Sequence, residues 1–230
     1  MTLILFDCDG TLVDSQHAIV EAMNAAFSAH GLPHAPRASV IGVVGLSLVP
    51  AIARLLPRVD RDVIEQLAES YKRTFAELRS RPEHDEPLFP GAREVISHLA
   101  GLPGVRLGIA TGKSVRGVEA VIDREGWHGL FSTIQTADTN PSKPHPGMVL
   151  SAMSHVAAHP EHTIMVGDTT FDIAMPRAAG AHAVGVTWGY HPPRALSDCG
   201  AHAMIERFDE LPGAVDRLLA AVPVREEPIV

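Results

Sequence analysis

Two aspartates separated by one residue, Asp7 and Asp9, sit at the end of a short apolar run, TLILFD at 2–7, which continues into Cys8, Gly10 and Thr11. Two carboxylates that close repel each other by roughly 4 kcal/mol at 4 Å and an effective dielectric near 20, so something positive must offset them. Mg²⁺ meets that need, because it takes carboxylate and carbonyl oxygens and completes its shell with water and substrate phosphate. The plainer alternative is an acidic turn in which one aspartate caps a helix. A second acidic run end, GDTTFD at 167–172, offers Asp168 as a further metal oxygen, and Asp172, one helical turn on, to orient water or a lysine ammonium. Alone it reads equally well as a helix N-cap; two acidic ends in one chain favour a metal. In ATGKS at 110–114, the Thr111 hydroxyl and the amides of Gly112 and Lys113 lie before a helical pattern, a setting suited to phosphate oxygens. Lys143, with Pro141 and Pro144 close on either side, is held more rigidly than a surface lysine on a helix.

The elements that must bring these groups together are legible in the apolar pattern. TLILFD (2–7), VRLGIAT (105–111), TIMVGD (163–168) and AVGVTWG (183–189) are almost continuously apolar, as strands covered on both faces are. Between them, Val95, Ile96 and Leu99, then Val115, Val118, Val121 and Ile122, then Val149, Met153 and Val156 recur at helical spacing. Strands alternating with helices predict an α/β fold, a doubly wound parallel sheet whose ligand crevice lies beyond the carboxyl ends of the strands. From about 16 to 85 the alternation stops. Two helices are expected there: Gln16 to His30, with Ile19, Met23, Ala26 and Phe27 on one face and Gly31 as the stop, and a second after Asp60 carrying Val63, Ile64, Leu67, Tyr71, Phe75 and Leu78. Pro33, Pro36, Gly42, Gly45, Pro50 and Pro57 predict a loop-rich connection between them, and Arg81, Pro82 and Pro87 to Gly91 a return linker. The expected division is a core of 1–15 and 86–230 with an all-helical insertion at 16–85.

The chain of 230 residues is 46% hydrophobic with mean hydropathy +0.10, enough to bury a sizeable core. Its 19 Lys and Arg against 27 Asp and Glu give a net charge of −8, with no long run of like charge, which argues against nucleic-acid and anionic-membrane partners. It also means that an anionic substrate must be met by local positive potential. Two distant cysteines, no CxxC pair, an N-terminal apolar run broken by Asp7, and no stretch near the ~18 apolar residues of a membrane span lead to the expectation of a cytoplasmic protein.

Several tempting features carry less. GIATGKS ends like a P-loop, but the glycine required five positions before Gly112 is Leu107. His155, His159 and His162 are accompanied by no strand-end acidic group and no HExxH, and a solvated helix end explains the first two. Cys8 alternates with the aspartates and is expected to face the sheet packing, its thiol made less acidic by flanking carboxylates. Trp127, Phe131 and Trp188 are expected to fill core space. Gly42, Gly45, Arg54, Lys72 and Arg73 could face a substrate, with ordinary loop and surface roles the simpler reading.

Taken in order, DCDGTLVDS at 7–15, ATGK at 110–113, SKPHP at 142–146 and GDTTFD at 167–172 resemble the haloacid dehalogenase superfamily, with wording similar to its phosphoglycolate phosphatase-like branch and LFPG at 88–91 like that branch's return linker. The resemblance spans the whole chain, since the helical insertion corresponds to the family's cap. It implies Asp7 as nucleophile and Asp9 as general acid, then base. It assigns Mg²⁺ to Asp7, the carbonyl of Asp9 and Asp168, with Asp172 supporting from behind. Gly10, Thr111, Gly112 and Lys143 would bind the substrate, Thr111 and Lys143 contacting the transferring phosphoryl group. Asp9 favours phosphate esters, whose alkoxide needs a proton, over halides. The expected activity is hydrolysis of a small phosphorylated metabolite, 2-phosphoglycolate foremost, by a monomer or homodimer. A sugar-phosphate mutase and a non-enzymatic phospho-receiver are the alternatives.

Overall fold

A computed structural model describes residues 1–79, 81 and 86–221. Six parallel strands form one sheet: β1 (Thr2–Phe6), β2 (Val105–Ala110), β3 (Phe131–Gln135), β4 (Thr163–Gly167), β5 (His182–Val186) and β6 (Ala203–Ile205), in the order β3-β2-β1-β4-β5-β6. Pleating explains the continuous apolar runs. Ile4 and Phe6 of β1 join Leu107, Ile164, Val166, Val184 and Val186 in a core on one face, under α5 (Ala92–Ala100) and α10 (Leu211–Ala220). Leu3 and Leu5 point to the other face, against α7 (Gly147–Val156) and Met175 of α8 (Thr170–Ala178). β1, β4 and β5 are buried on both sides, so no polar alternation survives in them.

The four sequence runs correspond to β1, β2, β4 and β5, each a residue or two shorter than read. The edge strands β3 and β6 were not expected, because FSTIQ and AMI are short and half-exposed. Nor were α9 (Pro193–Asp198) and α10, while α8 is the helix whose start was one reading of GDTTFD. α7 ends at Val156, so His155 and His159 do not share a helix.

Residues between β1 and α5 are helical. α1 (Gln16–Ala29) and α4 (Arg61–Arg79) are the two expected helices, but the connection also contains α2 (Arg37–Ile41) and α3 (Leu48–Leu55), a correction to the loop-rich reading. Pro50 lies in the first turn of α3, where a missing N–H costs nothing. Ile19, Met23, Phe27, Val40, Ile52, Ile64 and Leu67 pack into a separate apolar core of their own. Pro82 and the expected boundary at 85 lie outside the described residues. Among the described residues, no helix is long and apolar enough to cross a membrane.

Candidate active site

The strand order reverses between β1 and β4, and a crevice opens at the carboxyl ends of the strands where it does so. Phe6 pairs with Ile109 on one side and Val166 on the other, so the residues that follow emerge together. Asp7 leaves β1, Thr111 leaves β2 and Asp168 leaves β4. The Asp7 amide still donates to the Val166 carbonyl at 3.0 Å, and the Thr111 amide to Gln135 at 3.0 Å, which carries the sheet's order one residue into the site. Asp7, Thr111, Lys143, Asp168 and Asp172 are each at most 1% exposed.

Lys143 is the countercharge. Its Nζ lies 3.0 Å from Asp7 Oδ1 and 2.7 Å from Asp172 Oδ1. Burial alone would make this ammonium more acidic; Asp172 and Asp7 outweigh it and hold the proton on. The other oxygen of Asp172 accepts from the Thr169 amide at 3.0 Å and hydroxyl at 2.7 Å, while the Asp172 amide donates back to Thr169 Oγ1. That reciprocal capping box starts α8. The helix-cap reading of GDTTFD therefore holds with Thr169 as the N-cap, and Asp172, the third residue of the helix, serves both the capping box and Lys143.

Asp168 is placed with equal care. Thr11 Oγ1 donates to its Oδ1 at 2.8 Å and the Tyr190 amide to its Oδ2 at 2.8 Å. Glycines make the room: a Cβ on Gly10, whose φ is +87°, would sit 2.2 Å from Asp168 Oδ2, and one on Gly189 2.1 Å from Asp168 Cβ. Gly10 is thus required by its packing against Asp168, and it is not a wall residue of the substrate-sized cavity described below.

Three carboxylates, of Asp7, Asp168 and Asp172, have ligand atoms all within 4.8 Å of one another. Among the described residues, the Lys143 ammonium is the countercharge paired with Asp7 and Asp172. Burial pushes the Asp7 carboxyl up to about 7, against the downward pull of Lys143, and burial with the nearby Asp172 and Asp7 charges raises Asp168 well above its ordinary value. Asp7 Oδ2 is buried without a hydrogen-bond partner among the described residues. A hard cation suits this donor set: it supplies the missing charge and a ligand position for the orphaned oxygen. Asp172 gives one oxygen to the Lys143 ammonium and the other to two Thr169 donors, whereas each Asp168 oxygen accepts one neutral donor and Asp7 Oδ2 none among the described residues, so Asp7 and Asp168 are the better placed to bind a cation. Asp9's carboxylate lies outside the cluster, so any share it takes falls to its carbonyl.

Asp9 turns instead toward donors that the motif reading did not include. Its Oδ1 accepts from Ser15 Oγ and from Lys113 Nζ, both at 2.6 Å. Ser15 in turn touches the Tyr190 hydroxyl. Ser15 is the last residue of the first motif and Lys113 the lysine of the P-loop look-alike, so both had a sequence signal. Tyr190 had none, for it is brought in by the turn after β5. Cys8 packs with Ile109 and Val118, and burial, then the Asp7 and Asp9 charges, raise its thiol pKa, which leaves it unreactive.

Asp7, Asp9, Thr111 and Gly112 open into a cavity of about 600 Å³ between the strand ends and the helical segment. Its far wall includes Ile19, Met23, Leu48, Tyr71 and Phe75, the last two stacked with ring centroids 5.6 Å apart. The segment rests directly on the core. The Ser47 amide donates to Ser142 Oγ at 2.9 Å, and a Cβ on Gly112 would lie 2.7 Å from the carbonyl oxygens of Gly45 and Leu46. Gly45 lines the cavity; Lys72 reaches its rim but pairs with Glu69. Arg73 bonds Ser70, Arg54 lies over the Phe171 ring, and Gly42 is not a wall residue. Trp127 and Trp188 fill apolar space as expected, with Phe131 beside Trp127 at the sheet edge.

The sequence profile of haloacid dehalogenase-like hydrolases matches residues 4–186. A Dickeya dadantii (strain 3937) protein named "Probable phosphatase IndB" is 35% identical over 220 residues, covering 94% of each chain. A phosphoglycolate phosphatase of Cereibacter sphaeroides (strain ATCC 17029) is 32% identical over 220 residues, 94% of this chain and 99% of that one. Among solved structures, a hydrolase from Pseudomonas syringae superimposes with a TM-score of 0.83 at 24% identity, over 94% of this chain and 99% of that one.

Proposed function

Since the chain belongs to the haloacid dehalogenase-like hydrolase family, we propose that it is a Mg²⁺-dependent phosphomonoester hydrolase that works through an aspartyl-phosphate on Asp7. The observation that carries this reading is Asp7 itself: a buried carboxylate at the mouth of a substrate-sized cavity, with Lys143 on one oxygen and no hydrogen-bond partner on the other among the described residues.

In the first half-reaction an Asp7 oxygen attacks phosphorus, the bond from phosphorus to the ester oxygen breaks, and Asp9 protonates the departing alkoxide. In the second, Asp9 takes a proton from water as that water attacks the phosphoryl group, which frees Asp7 and inorganic phosphate. Thr111, the Gly112 amide and Lys143 are assigned to the phosphoryl oxygens. Lys143 also steadies Asp7, and Asp172 steadies Lys143. Asp7, Asp168 and the Asp9 carbonyl would hold Mg²⁺, which when bound neutralises charge that builds on the phosphoryl oxygens. The helical segment over the cavity excludes bulk water.

The names of the similar proteins make 2-phosphoglycolate the first substrate to assay within the class of small phosphorylated metabolites. We assign the enzyme to the cytoplasm, as a monomer or homodimer without nucleic-acid or membrane partners.

The test is phosphate release from 2-phosphoglycolate and other phosphomonoesters by the purified protein. Activity is expected to require Mg²⁺, to vanish in EDTA and in Asp7→Asn, and to fall sharply in Asp9→Asn. Full activity in either of the first two conditions refutes the mechanism. Transfer of the phosphoryl group within a hexose 1-phosphate, without phosphate release, would make the protein a mutase.

A further inference from the structure

The lysine of ATGKS is unnecessary to the chemistry just described, yet it is one of the most constrained side chains in the protein. Lys113 is 6% exposed at its side chain, and its Nζ lies 2.6 Å from Asp9 Oδ1 and 3.6 Å from Glu86 Oε1. Glu86 is 2% exposed, and its Oε1 has no hydrogen-bond partner among the described residues. Its other oxygen is 4.0 Å from Arg79 in the last turn of α4. Charges of alternating sign therefore run from Asp9 through Lys113 and Glu86 to Arg79. That chain joins the reacting centre to the last turn of α4 and to Glu86, which precedes α5.

A carboxylate buried this deeply is tolerated only where it is paired, and removing the partner of such a pair is costly. Glu86 is poised beside Lys113 and too far for a full hydrogen bond, because Asp9 holds the ammonium. Two donors, Lys113 and Ser15, meet on the same oxygen of Asp9. Neither occupies Oδ2, and Asp9 is a wall residue of the cavity. This arrangement fixes the carboxylate's rotamer and leaves Oδ2 to exchange the proton.

Resting on the phosphomonoester hydrolase reading, we propose that Lys113 and Glu86 are positioning residues for the acid–base step. Lys113 orients Asp9 by holding Oδ1, and Glu86 anchors Lys113 from the return segment. Neither touches the substrate; both act through Asp9. The Phe75 ring, 5.2 Å from Lys113 Nζ, closes the remaining side of the ammonium.

Leaving-group dependence distinguishes this role from a structural one. An alkyl phosphate needs a proton delivered to its alkoxide, whereas p-nitrophenyl phosphate expels a stable phenoxide unaided. kcat/KM reports transfer to Asp7 and is insensitive to the later hydrolysis. Wild type, Lys113→Met, Glu86→Gln and the double variant are assayed with propyl phosphate and p-nitrophenyl phosphate in Mg²⁺, and folding is checked by thermal unfolding. For Lys113→Met we expect kcat/KM to fall about thirtyfold on propyl phosphate and less than about threefold on the nitrophenyl ester. Glu86→Gln should show the same bias at about one third the size, and should add nothing once Lys113 is gone.

Equal losses on the two esters, or no loss, overturn the proposal. So does a rise in KM with kcat unchanged, which would make Lys113 a substrate contact. An additive double variant removes Glu86 from the role. Should Glu86→Gln fail to fold, Lys113→Met on the two esters decides alone. A wild type inactive on every phosphomonoester refutes the hydrolase reading and this proposal with it; an active wild type with an unbiased Lys113→Met refutes only this proposal.

Discussion

At and beneath the floor of the cavity, Lys143 joins Asp7 to Asp172, while hydroxyls and amides of Thr11, Thr169 and Tyr190 hold Asp168 and Asp172, all through contacts of 2.7 to 3.0 Å. Across the cavity, Ile19, Met23, Leu48, Tyr71 and Phe75 offer almost no directional bonding. The floor stands on strand ends inside a sheet covered on both faces. The roof stands on helices with a separate apolar core and meets the floor at a few backbone contacts and at the Arg54–Phe171 and Phe75–Lys113 contacts. The contrast teaches a division of labour. Geometry that must hold to fractions of an ångström is built where packing and hydrogen bonds over-determine it. Shape and apolar complementarity, which tolerate looser placement, are left to the roof.

Breaking the floor should cost most. Lys143→Met leaves Asp7 and Asp172 buried without their countercharge, and is expected to destabilise the fold by about 3–5 kcal/mol at neutral pH, as read by urea unfolding, and to abolish phosphate release. An unfolding midpoint unchanged from wild type would show that the ammonium is not what holds the carboxylates.

The floor's charge should also show in pH dependence without substrate. The Asp7 carboxyl is raised in the folded protein from 3.8 to about 7. Folding then binds a proton, so its stabilising contribution is complete below about pH 3.8 and is lost as pH rises through about 7. In EDTA, the stability of wild type relative to Asp7→Asn is expected to decline across that window. Mg²⁺ should reverse the decline and bind more tightly as pH rises, because it competes with that proton. Thermal unfolding of both proteins with and without Mg²⁺ measures this, and a flat difference would contradict it.

At the joint between floor and roof, Gly112→Ala puts a methyl 2.7 Å from the Gly45 and Leu46 carbonyl oxygens. Backbone cannot yield cheaply there. The expected result is a loss of about tenfold in kcat/KM with stability nearly unchanged, since the clash lifts the helical segment without entering either core. Smallest of all, Leu48→Ala in the roof should raise KM by about threefold and leave kcat alone, the signature of lost apolar contact that is uniform between ground and transition states. A fall in kcat from this substitution would mean that the roof also sets reaction geometry.

Much of this was legible without coordinates, for identifiable reasons. Runs such as TLILFD and TIMVGD are unambiguous because a strand buried on two faces has no room for polar alternation. The positions of Asp7, Asp168 and Thr111 at run ends followed from the same pattern. β3 and β6 escaped because an edge strand is short and half-exposed, and its pattern is that of a loop. α2 and α3 escaped because prolines and glycines mark chain reversals without saying that helices of one or two turns fit between them. The stripe on α4 was read as one face, yet its C-terminal part, Tyr71 and Phe75, turns to the cavity while Ile64 and Leu67 enter the core. Periodicity cannot tell an apolar wall from an apolar interior.

Residue identity by itself determined which groups could do chemistry: acids at strand ends, a threonine and amides before a helix, a lysine confined by prolines. Those are local facts, carried by neighbours in the chain. Only the tertiary structure decided which acids share a charge and which stand apart. Lys143 reaches Asp172 across 29 positions, and Lys113 reaches Asp9 across 104. The strand order places β1 between β2 and β4, and from that order follow the gathering of Asp7 with Asp168, the burial that raises their pKa values, and an Asp7 oxygen with no hydrogen-bond partner among the described residues. Burial and pairing are properties of the assembled sheet, because both depend on what the fold brings alongside a residue and not on what precedes or follows it.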